Sequence, residues 1–141
     1  MFSTSLLLLL AAASYVHGVE LTQPASMTVQ PGQSLSINCK VSYSVTSYTT
    51  AWIRQPAGKA LEWIGHINSA GSTAYSDKLK NKFSISRDTA TNTITIGGQN
   101  LQTEDTAVYY CAGYSGNNAF DNWGKGTTVT VTSAVQSAPK S

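Results

Sequence analysis

The sequence predicts an all-β domain, either a sandwich or a barrel. Apolar and polar residues alternate with a period of two in four runs, residues 34–41, 83–86, 93–96 and 127–132. Turn signals separate the runs, namely Pro31-Gly32, Pro56-Ala57-Gly58, Ala70-Gly71-Ser72 and Gly97-Gly98. Apolar residues at helical spacing do not recur along the chain, and short strands at this spacing are typical of sandwiches and barrels.

The first run shows the strand pattern most clearly. Its inward face is predicted to carry Leu35, Ile37, Cys39 and Val41, while the polar residues between them face outward. Residues 101–104 predict one helical turn between strands. Two stretches, residues 43–49 and 112–122, break the alternation and are predicted to be loops. They combine small polar residues with a few aromatic rings, which is typical of surfaces built for recognition.

An apolar run near the N-terminus predicts a secretory signal. Residues 6–13 are all apolar, but the run is far shorter than the roughly 20 residues of a membrane-spanning helix. We expect residues 1–18 to be removed after the small residue Gly18. No Lys or Arg precedes the run, and a buried N-terminal helix is the alternative. The mature chain, from Val19, is expected to be secreted or held at the outer face of the plasma membrane.

The secretory route places the two cysteines, Cys39 and Cys111, in an oxidising compartment, where we expect them to pair. The closed loop of about 73 residues would contribute roughly 4 kcal/mol in the chain-entropy model. A zinc site and a catalytic thiol are the alternatives. Two cysteines without neighbouring ligands make a poor zinc site, and His66 is the one histidine of the mature chain that could serve as a base.

Composition argues against several classes of function. Nine Lys and Arg residues, opposed by seven Asp and Glu, form no basic stripe, so no nucleic-acid partner is expected. The sequence shows neither a Ser-His-Asp set nor clustered carboxylates or metal ligands, so we expect no enzyme activity, cofactor or metal. No segment after the signal could span a bilayer, and no Asn-x-Ser/Thr acceptor for an N-glycan occurs. A binding module is the remaining class.

A spaced set of residues is typical of one family. Trp52 follows Cys39 by thirteen residues and Tyr109 precedes Cys111 by two, which is the Cys…Trp…Tyr-x-Cys signature of the immunoglobulin fold. Over residues 19–133 the chain resembles immunoglobulin heavy-chain variable regions. The motifs are Trp52-Ile53-Arg54-Gln55, Leu61-Glu62-Trp63-Ile64-Gly65, Phe83-Ser84-Ile85-Ser86-Arg87-Asp88, Glu104-Asp105-Thr106-Ala107-Val108-Tyr109-Tyr110-Cys111 and Trp123-Gly124-Lys125-Gly126-Thr127. Trp123, rather than Phe, indicates a heavy chain, and residues 77–83 with the short first loop resemble bony-fish heavy chains.

This resemblance implies a V-type immunoglobulin β-sandwich of two antiparallel sheets with Greek-key topology and one inter-sheet disulfide. It places Trp52 against that disulfide and directs the Tyr109 hydroxyl to the backbone of the preceding corner. It also matches Lys82 and Asp105 to a salt bridge that closes one end of the sandwich, contributing about 0–1 kcal/mol if exposed. Residues 134–141 are expected to be a linker or the start of a constant region.

A partner surface is expected on one outward sheet face. Because Tyr109 and Trp52 point inward, their strand neighbours point outward. The resulting face matches the family's contact surface for a light-chain variable domain and comprises Ile53, Gln55, Leu61, Trp63, Tyr110 and Trp123. A solvent-facing patch this apolar is unusual on a monomer. The alternative is that some of these rings belong to the core.

Antigen binding is expected at three loops, residues 43–49, 67–73 and 112–122. The expected contacts are Ser47, Tyr48, Thr49, His66, Asn68, Ser69, Tyr114, Ser115, Asn117, Asn118 and Phe120. Solvated filler is the alternative for each, and His66 is expected to be a polar residue at the floor of the site. A hapten, a carbohydrate and a protein epitope all remain open as antigens.

One position departs from the family pattern. The family has Arg or Lys two residues after the second cysteine, where it pairs with an Asp near the end of the third loop; here that position is Gly113. We therefore expect Asp121 to lack its partner and Gly113→Arg to order the loop.

These features predict an antigen-binding heavy-chain variable domain of an antibody or B-cell receptor, acting in adaptive humoral immunity. The alternative is a non-rearranging V-set receptor or adhesion domain, which should lack the joining-segment ending at residues 123–131 that this chain has.

Overall fold

The computed structural model describes residues 19–114 and 120–133, apart from the side chains of Tyr114 and Phe120. The predicted signal, residues 1–18, and residues 134–141 lie outside this part. The described elements are β1 Leu21–Thr22, β2 Ser26–Val29, β3 Leu35–Val41, β4 Thr50–Gln55, β5 Glu62–Ile67, β6 Thr73–Tyr75, β7 Phe83–Asp88, β8 Thr93–Gly98, the 3₁₀ helix η1 Thr103–Asp105, β9 Ala107–Tyr114, β10 Phe120–Trp123 and β11 Thr127–Val131.

The strands form two sheets, which confirms the predicted fold class. One sheet has the order β1-β3-β8-β7, and the other has β2-β11-β9-β4-β5-β6 with β10 paired to β9. One pair departs from the antiparallel arrangement, because β2 lies parallel to β11 with Met27 beside Val129. Between β1 and β2 the chain crosses from one sheet to the other at Pro24, which lacks an N–H for a ladder bond.

The core lies between the sheets and follows the predicted alternation. In β3 every second residue from Leu35 to Val41 is buried. A disulfide joins Cys39 of β3 to Cys111 of β9, as predicted. Trp52 is fully buried and is the register partner of Cys111, so the largest core side chain lies beside the link between the sheets.

A network of charges occupies the end of the sandwich that carries η1, here called the η1 end. Lys82 Nζ lies 2.9 Å from Asp105 Oδ2, and Arg54 Nη1 lies 2.9 Å from Asp105 Oδ1. The Tyr109 hydroxyl donates to the Asp105 carbonyl at 2.7 Å, the corner contact that the resemblance implies. Asp105 is only 2% exposed, so the energy given above for an exposed pair does not apply to it.

The Gln23 amide links β9 to β11 near the disulfide. Its Nε2 donates to the Tyr109 carbonyl and to Thr127 Oγ1, both at 2.9 Å, and its Oε1 accepts from Cys111 N at 3.2 Å. A Cβ on Gly124 would collide with that same Oε1. Gly124, the first glycine of the Gly-x-Gly sequence before β11, therefore leaves room for the Gln23 side chain.

Candidate binding surfaces

The strand register brings the predicted loops to one end of the sandwich. Thr50, the first residue of β4, lies beside Ile67 at the end of β5 and beside Gly113 near the end of β9. Residues 43–49, residues 67–73 and the far ends of β9 and β10 therefore neighbour one another, and we call this region the loop end. β9 runs to Tyr114 and β10 begins at Phe120, so the predicted third loop is strand at both of its margins.

The first loop is anchored by Val45, which is buried although its neighbours Ser44 and Thr46 are exposed. Ser47 is exposed, Thr49 is half-buried, and Tyr48 is 39% exposed. Three of the predicted contacts thus lie on the surface of the loop end, above an apolar anchor.

The second loop is a tight turn that Asn68 stabilises from within. Asn68 Oδ1 accepts hydrogen bonds from the N–H groups of Ala70 and Ser72 at 3.0 and 2.9 Å. Gly71 has φ +93°, in the left-handed region that glycine adopts without steric cost. The Asn68 side-chain oxygen serves the turn itself, while Ser69 lies half-buried beside it.

Arg87 of β7 joins the first and second loops and was missed by the sequence prediction. Its Nη1 lies within hydrogen-bond distance of the carbonyl oxygens of Val45, Asn68 and Ser69, at 2.9, 3.1 and 3.0 Å. A signal was present, since the alternation of β7 buries Phe83 and Ile85 and places Arg87 on the same inward face. A charged residue on an inward face needs polar partners, and these are the loop carbonyls.

The tip of the third loop lies outside the described residues. This applies to Ser115, Asn117 and Asn118 entirely, and to the side chains of Tyr114 and Phe120, whose backbones belong to β9 and β10. These five contacts stay predictions.

The base of the third loop differs from expectation. Asn122 Nδ2 donates to Asp121 Oδ1 at 3.1 Å, so Asp121 accepts a hydrogen bond from its neighbour where the family pattern has a basic residue at the position of Gly113. A Cβ on Gly113 would lie 2.7 Å from the Tyr43 hydroxyl oxygen. Gly113→Arg is therefore expected to displace Tyr43 rather than order the loop, because the ring already fills the space.

The predicted partner surface is an exposed aromatic patch on the larger sheet. Leu61 is 54% exposed, Trp63 37% and Trp123 42%; Gln55 is exposed and Tyr110 is half-buried. The Tyr110 and Trp123 rings meet edge to face at 5.9 Å. We call these five residues the outer face.

Ile53 is the exception among the six predicted contacts. It lies on the same side of the sheet but is only 5% exposed, in a small cluster with Ala51 and Ala112 that is separate from the main core. Its register partners are Trp63 and Tyr110, two aromatic residues of the outer face. Ile53 therefore supports the outer face from beneath instead of presenting an accessible contact.

A bulge brings His66 to the side of the sheet that carries the outer face. The β4–β5 register shifts between Trp52, which pairs with Gly65, and Ile53, which pairs with Trp63. Ile64, which lies between Trp63 and Gly65, is therefore an extra residue on β5, and it interrupts the alternation. The rings of Trp63 and His66 therefore meet at 5.6 Å although they lie three residues apart. His66 is half-buried, between the outer face and the loop end.

Comparison with known proteins agrees with this architecture. The immunoglobulin V-set domain model matches residues 22–132. The chain belongs to the immunoglobulin V-set family. It is 48% identical to Ig heavy chain V region XIG14 of Xenopus laevis over 108 residues, which cover 75% of this chain and 80% of that relative. It is 47% identical to Ig heavy chain V region MOPC 315 of Mus musculus over 131 residues, covering 91% and 96%.

The relatives place this V-set domain among immunoglobulin heavy-chain variable domains, as the sequence motifs predict. The resemblance to bony-fish heavy chains stays a prediction. Among residues 19–114 and 120–133, no three His, Cys, Asp or Glu side chains are grouped as metal ligands. The same residues contain no helix long and apolar enough to cross a membrane.

Proposed function

We propose that this V-set domain binds antigen at its loop end and pairs through its outer face with a light-chain variable domain, as part of an antibody or B-cell receptor. The observation that carries the pairing is the exposure of Leu61, Trp63 and Trp123 on one side of one sheet. Large apolar side chains grouped in this way are typical of protein–protein interfaces. Heavy-chain V regions are its relatives, which makes a light-chain variable domain the natural partner.

Antigen binding is supported by the chemistry of the loop end. Tyr48 offers a large amphipathic ring at low entropy cost, and Ser47 offers an adaptable hydroxyl. Arg87 and Asn68 hold the neighbouring backbone in place. Such a surface needs no catalytic group, and we propose recognition without chemistry, in secreted or cell-surface form.

Two matched variants test the two surfaces separately. Trp63→Ala and Tyr48→Ala each remove an aromatic side chain, exposed by 37% and 39% respectively. We expect Trp63→Ala to weaken association with a co-expressed light-chain variable domain at least tenfold, in the range of an interface hot spot. Tyr48→Ala should leave association unchanged. Analytical ultracentrifugation measures both, and equal association by Trp63→Ala and the parent chain would contradict pairing through the outer face.

An array of haptens, glycans and folded proteins tests the loop end. We expect ligands captured by the paired domain to lose binding in Tyr48→Ala but to retain it in Lys40→Ala, whose exposed side chain donates to Thr91 O. Ligand binding that is unchanged in Tyr48→Ala would argue against recognition at the first loop. The transcript beyond Ser141 separates the two classes of protein, since a constant-type domain supports an antibody and an immediate membrane segment supports a V-set receptor.

A further inference from the structure

A glycine on β9 borders a tyrosine from the first loop. Gly113 is buried near the end of β9, and a Cβ built on it would lie 2.7 Å from the Tyr43 hydroxyl oxygen. The same Cβ would lie 3.0 and 3.1 Å from two ring carbons of Tyr43. Any side chain at this position therefore requires the whole ring to move.

The Tyr43 ring is held at this place by a second contact. Its hydroxyl shares a hydrogen bond of 2.5 Å with Thr50 Oγ1, and Thr50 is fully buried at the start of β4. Thr50 is also the register partner of Gly113. Moving Tyr43 would leave the Thr50 hydroxyl without this partner, which is costly for a buried polar group. Burial raises the pKa of Tyr43, in accord with an enclosed phenol.

Tyr43 in turn contacts an exposed residue of the first loop. The Tyr48 ring packs edge to face against it, with ring centroids 5.5 Å apart. This geometry is favourable for two aromatic rings. A continuous chain of contacts therefore runs from Gly113 on β9, through Tyr43, to Tyr48 on the surface.

We propose that Gly113 is a positioning residue: its missing side chain makes the seat for Tyr43 and thereby sets the position of Tyr48 in the first loop. The first loop of the binding surface then depends on a residue of the third-loop strand. The importance of this coupling for recognition rests on the proposed function, whereas the coupling itself is a property of the free domain.

A double-mutant cycle on the full chain tests the seat. Gly113→Ala is expected to lower the folding equilibrium constant about tenfold, the scale of an overpacked site. In a Tyr43→Ala background the same change should cost less than about threefold, because the obstructing ring is gone. Tyr43→Phe gives a second background, which keeps the ring but removes the oxygen nearest to the added methyl group.

Gly97→Ala is the matched control. Gly97 is also a strand glycine, and its Cβ would lie 3.3 Å from Ser84 Oγ, with no Tyr43 atom among its nearest neighbours. Gly97→Ala should change the folding equilibrium constant by the same factor with and without Tyr43. This control separates the general effect of Gly→Ala in a strand from the specific contact between residue 113 and Tyr43. Equal costs of Gly113→Ala in the parent and both Tyr43 backgrounds would overturn the proposal.

Amide hydrogen exchange without any ligand tests the positioning. Gly113→Ala and Thr50→Val should each accelerate exchange in residues 43–49 at least severalfold, and Gly97→Ala should not. Unchanged exchange there in Gly113→Ala would overturn the proposed positioning. If Gly113 and Tyr43 are coupled but the domain binds no ligand at its loops, the proposed function is wrong and this inference stands. If the costs of the Gly113 and Tyr43 changes are additive but ligand binding depends on Tyr48, this inference is wrong and the proposed function stands.

Discussion

Arg54 and Asp105 form a buried ion pair, with 2.9 Å between Nη1 and Oδ1, at the η1 end of the sandwich. Arg54 Nε also lies 2.8 Å from Glu62 Oε1, and Asp105 Oδ2 lies 2.9 Å from Lys82 Nζ. Burying two charges costs desolvation energy, which further hydrogen bonds must offset. Here Tyr109 supplies two of them, since its hydroxyl accepts from Arg54 and donates to the Asp105 backbone.

The first prediction concerns stability when this pair is broken. Asp105→Asn should reduce the free energy of unfolding by about 3 kcal/mol, the lower end of the range for a broken buried pair, because the half-buried Glu62 is left to neutralise the buried Arg54 guanidinium. Urea denaturation measures the loss. Asp77→Asn is the control, since Asp77 is exposed and lies 4.0 Å from Lys80; it should cause no measurable change. Equal denaturation midpoints for Asp105→Asn and the parent chain would contradict a structural role for the pair.

The second prediction is the response to acid. Burial alone would raise the pKa of Asp105, but hydrogen bonds from the Gln102 backbone, Lys82 and Arg54 outweigh it and hold that pKa below its usual range. A carboxyl whose pKa is lower in the folded state stabilises the fold above its unfolded pKa. That contribution is lost as the pH falls through the folded pKa. Stability should therefore decline below about pH 4 in the parent chain, and more gently in Asp105→Asn.

The third prediction is the response to alkali. Burial raises the pKa of Tyr109 to about 12, although Arg54 acts in the opposite direction. The folded domain then holds this proton more tightly than the unfolded chain, whose tyrosine titrates near pH 10. Its contribution is complete below about pH 10 and is lost as the pH rises towards 12. Tyr109→Phe should flatten this decline in denaturation curves, and an unchanged slope would count against a buried, protonated phenol.

Sequence reasoning predicted β3, β7, β8 and β11 from their alternation and named the residues of the outer face, but it did not predict the partners of the inward charges. The alternation that places Trp52 inward in β4 also places Arg54 inward. In β7 the same alternation places both Ile85 and Arg87 on the inward face. The pattern thus marks both arginines as residues that need polar partners. Which carboxylates and carbonyls serve them depends on how distant strands are brought together, and local patterning does not contain that information.

Two other misses concern His66 and Gly113. The bulge in β5 shifts the register by one residue, so period-two reasoning could not bring His66 beside Trp63. Gly113 was interpreted as the loss of the family's basic side chain, because the sequence does not show that Tyr43 of the first loop packs against this position. In both cases the neighbours of the residue are set by contacts between separate strands or loops, which the local sequence pattern does not contain.

The last prediction concerns Arg87, which holds two loops with one nitrogen. Arg87→Ala should release the carbonyls of Val45, Asn68 and Ser69, and amide exchange should accelerate in residues 43–49 and 67–73 together. The free energy of unfolding should fall by about 1–3 kcal/mol, because three partly buried carbonyl groups lose a charged donor. Arg87→Lys keeps the charge but not the planar fork, so we expect an intermediate effect.

Lys40→Ala serves as the control for Arg87. Lys40 also donates to a carbonyl, that of Thr91, but its side chain is exposed and its acceptor lies outside both loops. Its removal should leave exchange in residues 43–49 and 67–73 unchanged. Faster exchange in only one of the two loops of Arg87→Ala would mean that the other is held by its own turn contacts, such as those of Asn68, and that Arg87 does not couple them.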